Sequence, residues 1–492
     1  MTATMTSIAT LLPRETWEGK VFTGTWRPAA HTAETVEPAT GEVLGTVGLV
    51  DEQGIADSAK SAAEAQHRWA RTSYDERAAV LRAAARIAEE NADEIVEWII
   101  RESGSTGAKA AFEVSLTVRA LHEAAGLPSR ATGEVLPSPD GKMTLARRRP
   151  VGVVGVISPF NFPLYLAIRA VAPALALGNA VVLKPDPRTA VCGGFTIARI
   201  FELAGLPAGA LHVVPGDAAA GAAITSDPHI SMVQFTGSTA AGRKVGEAAG
   251  RHLKRVSLEL GGKNSLIILD DADLDLAVAN TVWGVYLHQG QICMSTGRVL
   301  VHRSLHQPLL ERLVARAKSL TVGDPLSGEV ALGPLINEHQ RDRALAVVQA
   351  AAAAGATVET GGSCDGLFFE PTVLSGVTPD NPAFREEIFA PVAVVVPFDT
   401  DDEAVELAND TEYGLSVGII SSDVGRAMAL GDRLQTGLLH INDQTVNDDV
   451  INPFGGVGAS GNGASIGGSS NGEEFTQWQW MTIRDQAPHY PL

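Results

Sequence analysis

Between residues 151 and 260 the chain repeats one unit, a short apolar run followed by a helix-forming stretch. This repetition limits the possible folds more than any other feature. The runs at 151–158 (VGVVGVIS), 180–183, 211–214, 231–235 and 255–260 read as strands, and the segments 164–177, 190–204, 218–225 and 239–249 read as helices. Apolar runs without polar alternation suit strands covered on both faces, and intervening helices make parallel pairing natural. Past Gly261 the alternation resumes at 265–269 and 299–301, which predicts a second α/β unit reaching the glycine-rich stretch 455–472.

The flanking segments have other textures. Residues 1–50 mix short apolar runs with Pro and Gly, as in Val36 to Val43, and predict a small antiparallel hairpin region. A helix is expected over 51–69. Ser73 and Glu76 form a capping box for the next, whose apolar residues Val80, Leu81, Ala84, Ile87 and Ala88 keep a 3.6-residue period. Residues 91–94 are expected to cap a further turn leading to Ile99 and Ile100, and another helix to run over 112–125. The stretch 134–149 reads as a hairpin around Asp140-Gly141, ending in three arginines. An isolated hairpin buries too little to stand alone. It is therefore expected to protrude and meet another subunit, with the strand-like run 475–484 pairing with it.

A chain of 492 residues has room for two or three domains. Its formal charge of −19 repels nucleic acid and anionic membranes. The longest apolar candidate, 164–183, is interrupted by Arg169, Pro173 and Gly178, so no membrane span is expected. The first residues carry no basic n-region or cleavage pattern, so no signal peptide is expected. Three cysteines supply neither a disulfide framework nor a metal cluster, and the cytoplasm is the expected compartment.

Several segments carry residues suited to chemistry. Cys293 lies in LHQGQICMSTGR (287–298), a connection between two apolar segments, with Gly290 and Gly297 on either side. It is either a nucleophile or a small buried hydrophobe. Gly237, Ser238 and Gly242 in FTGSTAAG follow a strand and open a helix, the setting of a dinucleotide phosphate site, although G-x-T-x-x-G departs from G-x-G-x-x-G; an ordinary helix cap fits equally. Lys184 follows a parallel strand, where ligands of open α/β sheets bind, or is a solvated lysine. Asn161 in SPFNFP is flanked by prolines that restrict its backbone; its amide could hold an oxyanion or cap the next helix. Glu259 in LELGGK is a carboxylate at a strand end, a general base if buried and otherwise a surface group. Glu387 and Phe389 in EEIFAP and Phe454 in NPFGG complete the set.

Taken together, PFNFP, FTGSTAAG, LELGGK, the cysteine 34 residues beyond Glu259, EEIFAPV and PFGG, in that order, resemble the aldehyde dehydrogenase superfamily from about residue 20 to the end. The resemblance implies a Rossmann-type NAD(P)-binding domain over 1–130 and 151–261. It also implies an α/β catalytic domain over 262–470, and an oligomerisation arm from 131–150 and 471–492 in a homodimer or homotetramer. It assigns Cys293 as nucleophile, Glu259 as general base and Asn161 as oxyanion donor together with the Cys293 backbone N–H. Lys184, Gly237, Ser238 and Gly242 are expected at the cofactor, with Glu387 and Phe389 at its nicotinamide ribose and ring.

Within the superfamily the likeness is greatest to benzaldehyde and vanillin dehydrogenases, through LYLAIRAVAPALALGNAVVLKPDPRT, INDQTVNDDVINPFGGVGASGNG and Tyr490-Pro491-Leu492. An aromatic aldehyde pocket is then expected from Phe162, Tyr165, Ile292, Met294 and Phe454. Arg169 stands where many aliphatic-aldehyde members have an aromatic residue. Pro187 stands where many NAD-specific members have Glu, so NAD is the expected cofactor with NADP as a second. Other aldehyde specificities (vanillin, an aliphatic aldehyde or a semialdehyde) remain as alternatives. Glu259 argues against a member that passes its acyl group to coenzyme A, and the joint presence of Cys293, Glu259 and Asn161 argues against a non-catalytic binding protein.

Overall fold

The computed structural model describes residues 10–139 and 141–491. Residues 1–9, which begin the N-terminal stretch read for a signal peptide, Asp140 of the expected hairpin turn, and Leu492 lie outside the described residues.

The repeated unit folds as a seven-stranded sheet. Its order is Arg255–Glu259, Ile230–Thr236, Val153–Ile157, Ala180–Lys184, Leu211–Val213, Lys20–Phe22 and Trp26–Pro28, with the first five strands parallel. Numbered along the chain, those five lie in the order 5-4-1-2-3. The sheet therefore reverses direction between Val153–Ile157 and Ile230–Thr236, and the crevice beyond the carboxyl ends of such strands is where α/β sheets take ligands. A second seven-stranded sheet runs Thr357–Thr360, Thr372–Ser375, Val392–Phe398, Thr296–His302, Asn264–Ile268, Ser416–Ile420, Leu438–Ile441, parallel except at its first pair. The central strands of both sheets are apolar because helices cover both faces; Val181, Val182, Leu300 and Val301 are all fully buried.

Local signals set most helix boundaries. Asp51 caps Glu52–Trp69 through Gly54, and Ser73 and Glu76 form the expected capping box on Tyr74–Glu90. Asn91 does not cap the next helix. Its side chain donates back to the Ile87 carbonyl at 2.8 Å and closes the preceding helix, while Ala92–Ser103 forms a full helix rather than one turn. The helix expected from 112 starts at Gly107, where Thr106 accepts the Lys109 N–H. The segment expected as one helix over 190–204 opens with a wide π-turn, Val191–Phe195, before Thr196–Leu203. The fully buried Glu102 carboxylate accepts the Val191 and Cys192 N–H groups there, at 3.1 and 2.6 Å, and Gly193 and Gly194 lie against Pro163 and Pro185.

The arm is a three-stranded antiparallel sheet, Thr476–Ile483, Met143–Pro150, Gly133–Leu136. The C-terminal strand thus pairs with the hairpin inside one chain, as the strand-like run 475–484 suggested. Apolar side chains remain uncovered on it: Val135 is 75% and Trp480 72% exposed. No helix among the described residues is long and apolar enough to cross a membrane.

Candidate active site

Cys293 follows a tight turn, Leu287–Gly290, and precedes the strand Thr296–His302. Three successive residues of the turn are left-handed: His288 at φ 50°, Gln289 at φ 56° and Gly290 at φ 68°. Such geometry is costly for non-glycine residues and persists only where neighbours impose it. Here they do. Gln289 donates its side-chain amide to the carbonyls of Gly104 and Pro334, at 2.8 and 2.9 Å. Ile336 N–H donates to the Gln291 side chain at 3.1 Å. At Gly290 any Cβ would lie 2.3 Å from the Ala390 carbonyl oxygen. Beyond the turn, Asn264 donates to the carbonyls of both Cys293 and Ser295 at 2.8 Å, which fixes the Cys293 backbone to the start of the second sheet.

Asn161 arrives from the first sheet, just before the helix Pro163–Ala176. Its side-chain amide donates to the Gln291 carbonyl at 2.9 Å, two residues before Cys293. A buried ion pair holds it there. Lys109 and Glu113, both fully buried, lie 2.6 Å apart; Lys109 also donates to the Asn161 carbonyl at 2.7 Å and sits 4.0 Å over the Phe162 ring. Glu113 accepts the N–H groups of Leu164 and Tyr165, at 2.9 and 3.1 Å, and so caps this helix from outside.

Glu259 ends its strand with both carboxylate oxygens buried and no hydrogen-bond partner among the described residues. Burial raises its pKa well above the ordinary range, Arg169 opposes that, and Asp448 and Glu474 add to it. Burial likewise pushes the Cys293 thiol up to about 12, helped by the carboxylates of Glu387, Glu259 and Asp448. Burial thus disfavours the charged form of both groups, which lie within electrostatic reach of one another. Around them Phe162, Tyr165, Ile292, Met294 and Phe454 belong to one buried cluster, with Cys293 packed against it. Arg169 crosses this wall. Its guanidinium lies 4.3 Å over the Phe454 ring, pairs with Asp448 and donates to the Ile466 carbonyl at 3.0 Å; the Tyr165 hydroxyl donates to the same Asp448 oxygen at 3.1 Å.

At the switch point of the first sheet lies a cavity of about 810 Å³, of the size used for cofactors. Lys184 and Ser238 line it. Lys184 is buried, and among the described residues its ammonium meets only the Pro185 carbonyl, at 3.4 Å, so it is available to a ligand hydroxyl or phosphate. The Ser238 hydroxyl accepts the Ala241 N–H and caps Thr239–Arg251. Gly237 adjoins it, where a Cβ would strike the Phe235 ring; Gly242 instead packs its helix against Leu260. Asp186 does not face the cavity unpaired: Arg188 binds both its oxygens, at 2.8 and 2.6 Å. Between the sheets, Glu387 accepts the Gly262 N–H at 3.1 Å, in space that a Cβ on Gly261 would fill. Phe389 stands beside it with φ 57°, its ring edge-on to Phe160. The residues present thus fit a dinucleotide running from Lys184 to Glu387.

Sequence reasoning did not single out Lys109, Glu113, Asn264 or Asp448. Lys109 and Glu113 carried a faint signal, an i, i+4 pair in a helix otherwise rich in Ala and Leu. Asp448 and Asp449 are flanked by Asn447 and Val450, which reads as an exposed turn.

Residues 26–481 match the Aldehyde dehydrogenase family. The chain is 55% identical to vanillin dehydrogenase of an Amycolatopsis strain, over 98% of this chain and 99% of that protein. It is 48% identical to benzaldehyde dehydrogenase [NAD(+)] of Pseudomonas putida, over 97% and 98%. The crystal structure of betaine aldehyde dehydrogenase from Staphylococcus aureus in complex with NAD+ superposes with a TM-score of 0.93 at 30% identity, over 97% of this chain and 96% of that one. Fold, site and sequence agree, and the chain belongs to the aldehyde dehydrogenase family.

Proposed function

We propose that this enzyme oxidises aromatic aldehydes to carboxylic acids, with NAD as preferred cofactor and NADP as a weaker one. One observation carries the reading: Cys293 packs against a buried wall that includes Phe162, Tyr165 and Phe454, with the unpartnered Glu259 carboxyl within electrostatic reach. The names of the two relatives, a vanillin and a benzaldehyde dehydrogenase, support it. Pairing of Arg169 with Asp448 removes the free cation that a semialdehyde's carboxylate would need.

In this reading Cys293 first loses its proton to solvent, the thiolate sulfur then adds to the aldehyde carbon, and the oxygen that becomes anionic takes hydrogen bonds from the Asn161 side chain and the Cys293 N–H. The bound oxidised nicotinamide supplies the hydride acceptor, which no side chain can be. Lys184 and Ser238 hold one end of that cofactor, and Glu387 and Phe389 the other. Once a thioester stands on Cys293, Glu259 takes a proton from water, the water oxygen attacks the acyl carbon, and the thiolate leaves. Residues 1–130 with 151–261 act as the cofactor domain, 262–470 as the catalytic domain, and 131–150 with 471–492 as an arm. The exposed Val135 and Trp480 are then covered in a cytoplasmic dimer or tetramer.

A substrate panel followed at the reduced nicotinamide absorbance tests the reading. Benzaldehydes are expected to exceed acetaldehyde and succinate semialdehyde in kcat/KM, and the reverse ranking overturns it. Light scattering that gives a monomer at micromolar concentration overturns the assembly.

A further inference from the structure

We infer that Lys263 holds one buried water in a small cavity behind Glu387, and that this bridge fixes the Glu387 carboxylate for the nicotinamide ribose. This rests on the cofactor placement proposed above and deepens it.

Lys263 closes the motif LELGGK, after two glycines. It is only 2% exposed, and its Nζ has no hydrogen-bond partner among the described residues. The stem passes over Gly297, where a Cβ would lie 2.9 Å from the lysine Cδ and 3.4 Å from its Nζ. A glycine there leaves the path open. The backbone is pinned as well, since the buried Arg298 donates to the Lys263 carbonyl at 2.9 Å. The amine is thus held in the interior by the packing around it. A buried amine with nothing to donate to is costly, and such groups are normally completed by another residue, a water or a ligand.

The same side chain lines a cavity of about 20 Å³, whose walls also include Gly290, Ile292, Ser295, Glu387 and Phe389. About 10–15 Å³ is enough to admit one water, so the space suits a single molecule. The cavity lies between the loop around Cys293, which contributes Ile292 and Ser295, and the segment 387–390. Glu387 Oε1 already accepts the Gly262 N–H at 3.1 Å. One such bond holds a carboxylate at one point and leaves it free to turn. A water that takes an N–H from Lys263 and gives an O–H to Glu387 supplies the second point. The amine serves in either charge state. Burial, with Arg298, pulls its pKa down to about 7, and Glu387 and Glu386 oppose that. The ammonium has three N–H bonds and the neutral amine two. Lys263 is therefore a positioning residue, which acts on the cofactor only through Glu387.

Binding measured without aldehyde separates this role from catalysis. Dissociation constants are determined by titration calorimetry for NAD, ADP-ribose and AMP. The first two carry the ribose placed at Glu387, and AMP lacks it. Lys263→Met keeps the stem and removes every N–H. It is expected to weaken NAD and ADP-ribose by about tenfold, the scale of one hydrogen bond to a charged group, and to leave AMP within about twofold. In a Glu387→Gln background the same change is expected to weaken NAD by less than about twofold, because the group it acts through is gone. A crystal structure of the unmodified enzyme with NAD is expected to show a water within hydrogen-bond distance of both Lys263 Nζ and the Glu387 carboxylate. A direct contact between the two side chains, or no water there, overturns the bridge, and this arm needs no variant to fold. Equal weakening of all three ligands in Lys263→Met, or none, overturns the assignment while leaving aromatic aldehyde oxidation untouched. Unchanged NAD affinity in Glu387→Gln alone overturns the ribose placement instead, and the bridge's role with it.

Discussion

The side-chain amide of Asn161 donates to the backbone carbonyl of Gln291 at 2.9 Å, across 130 residues of chain, and so ties the segment before Pro163–Ala176 to the turn that precedes Cys293. An amide has two N–H bonds, and this contact uses one. The other is free to meet an oxyanion, with its direction set by the first. Asn161→Ala is expected to lower kcat by about 10²- to 10³-fold, the usual loss for one oxyanion donor. Circular dichroism should show the fold retained. A fall of less than threefold in steady-state assays would remove Asn161 from the chemistry.

Deacylation separates the two catalytic groups. Cys293→Ala should abolish nicotinamide reduction. Glu259→Gln keeps the shape and removes the base, so turnover should drop by about 10²- to 10⁴-fold. Rapid mixing should still give a single burst of reduced cofactor per site, and mass spectrometry a thioester on the Cys293 peptide. Normal steady-state turnover in Glu259→Gln would show that another group activates the water.

The acid–base state of the resting site predicts a pH profile. The Cys293 thiol is pushed up to about 12, chiefly by burial, and Glu259 is raised by burial too. Both become useful by losing a proton, and both raised values move that loss to higher pH. kcat/KM for aldehyde is therefore expected to rise with pH through neutrality, approaching tenfold per unit where thiol ionisation limits. A profile flat between about pH 6 and 9 contradicts this.

Lys109 and Glu113 support the site from beneath. Lys109→Met strands a buried carboxylate, a change that typically costs about 3–5 kcal/mol. The denaturation midpoint should fall, and kcat should fall with it because Asn161 loses its carbonyl anchor. An unchanged midpoint would mean that the pair is not what holds this corner.

Cofactor choice turns on Asp186. Arg188 binds both its oxygens, and Pro187 brings no carboxylate, so a ribose phosphate meets little repulsion. NADP turnover should be measurable, though below that with NAD. Arg188→Ala frees the Asp186 charge, and kcat/KM for NADP should drop about tenfold more than for NAD. Equal losses for the two cofactors would exclude Arg188 from the discrimination.

The sheets were legible because their evidence is local. A buried parallel strand such as Val181–Leu183 has no other reading once helices flank it. The π-turn at Val191–Phe195 was not, since its cause, the Glu102 carboxylate, lies about 90 residues upstream. Asn91 shows a subtler limit, as an asparagine can serve the helix before it or the helix after it with the same atoms. At the site, Cys293, Glu259 and Asn161 stood out through the order of their motifs. Asp448 did not, because its partner Arg169 lies 279 residues away and no pattern within either segment announces the pair.

The burial of Cys293 bears on its reactivity towards reagents other than substrate. Peroxide and alkylating agents attack thiolates, and a thiol raised to about 12 offers almost none at neutral pH. An unfolded chain, with an ordinary cysteine pKa of about 8.5, offers far more. The same burial that raises the Cys293 thiol thus disfavours its thiolate in the fold relative to the unfolded chain, so thiol labelling at neutral pH is expected to quicken as the chain unfolds.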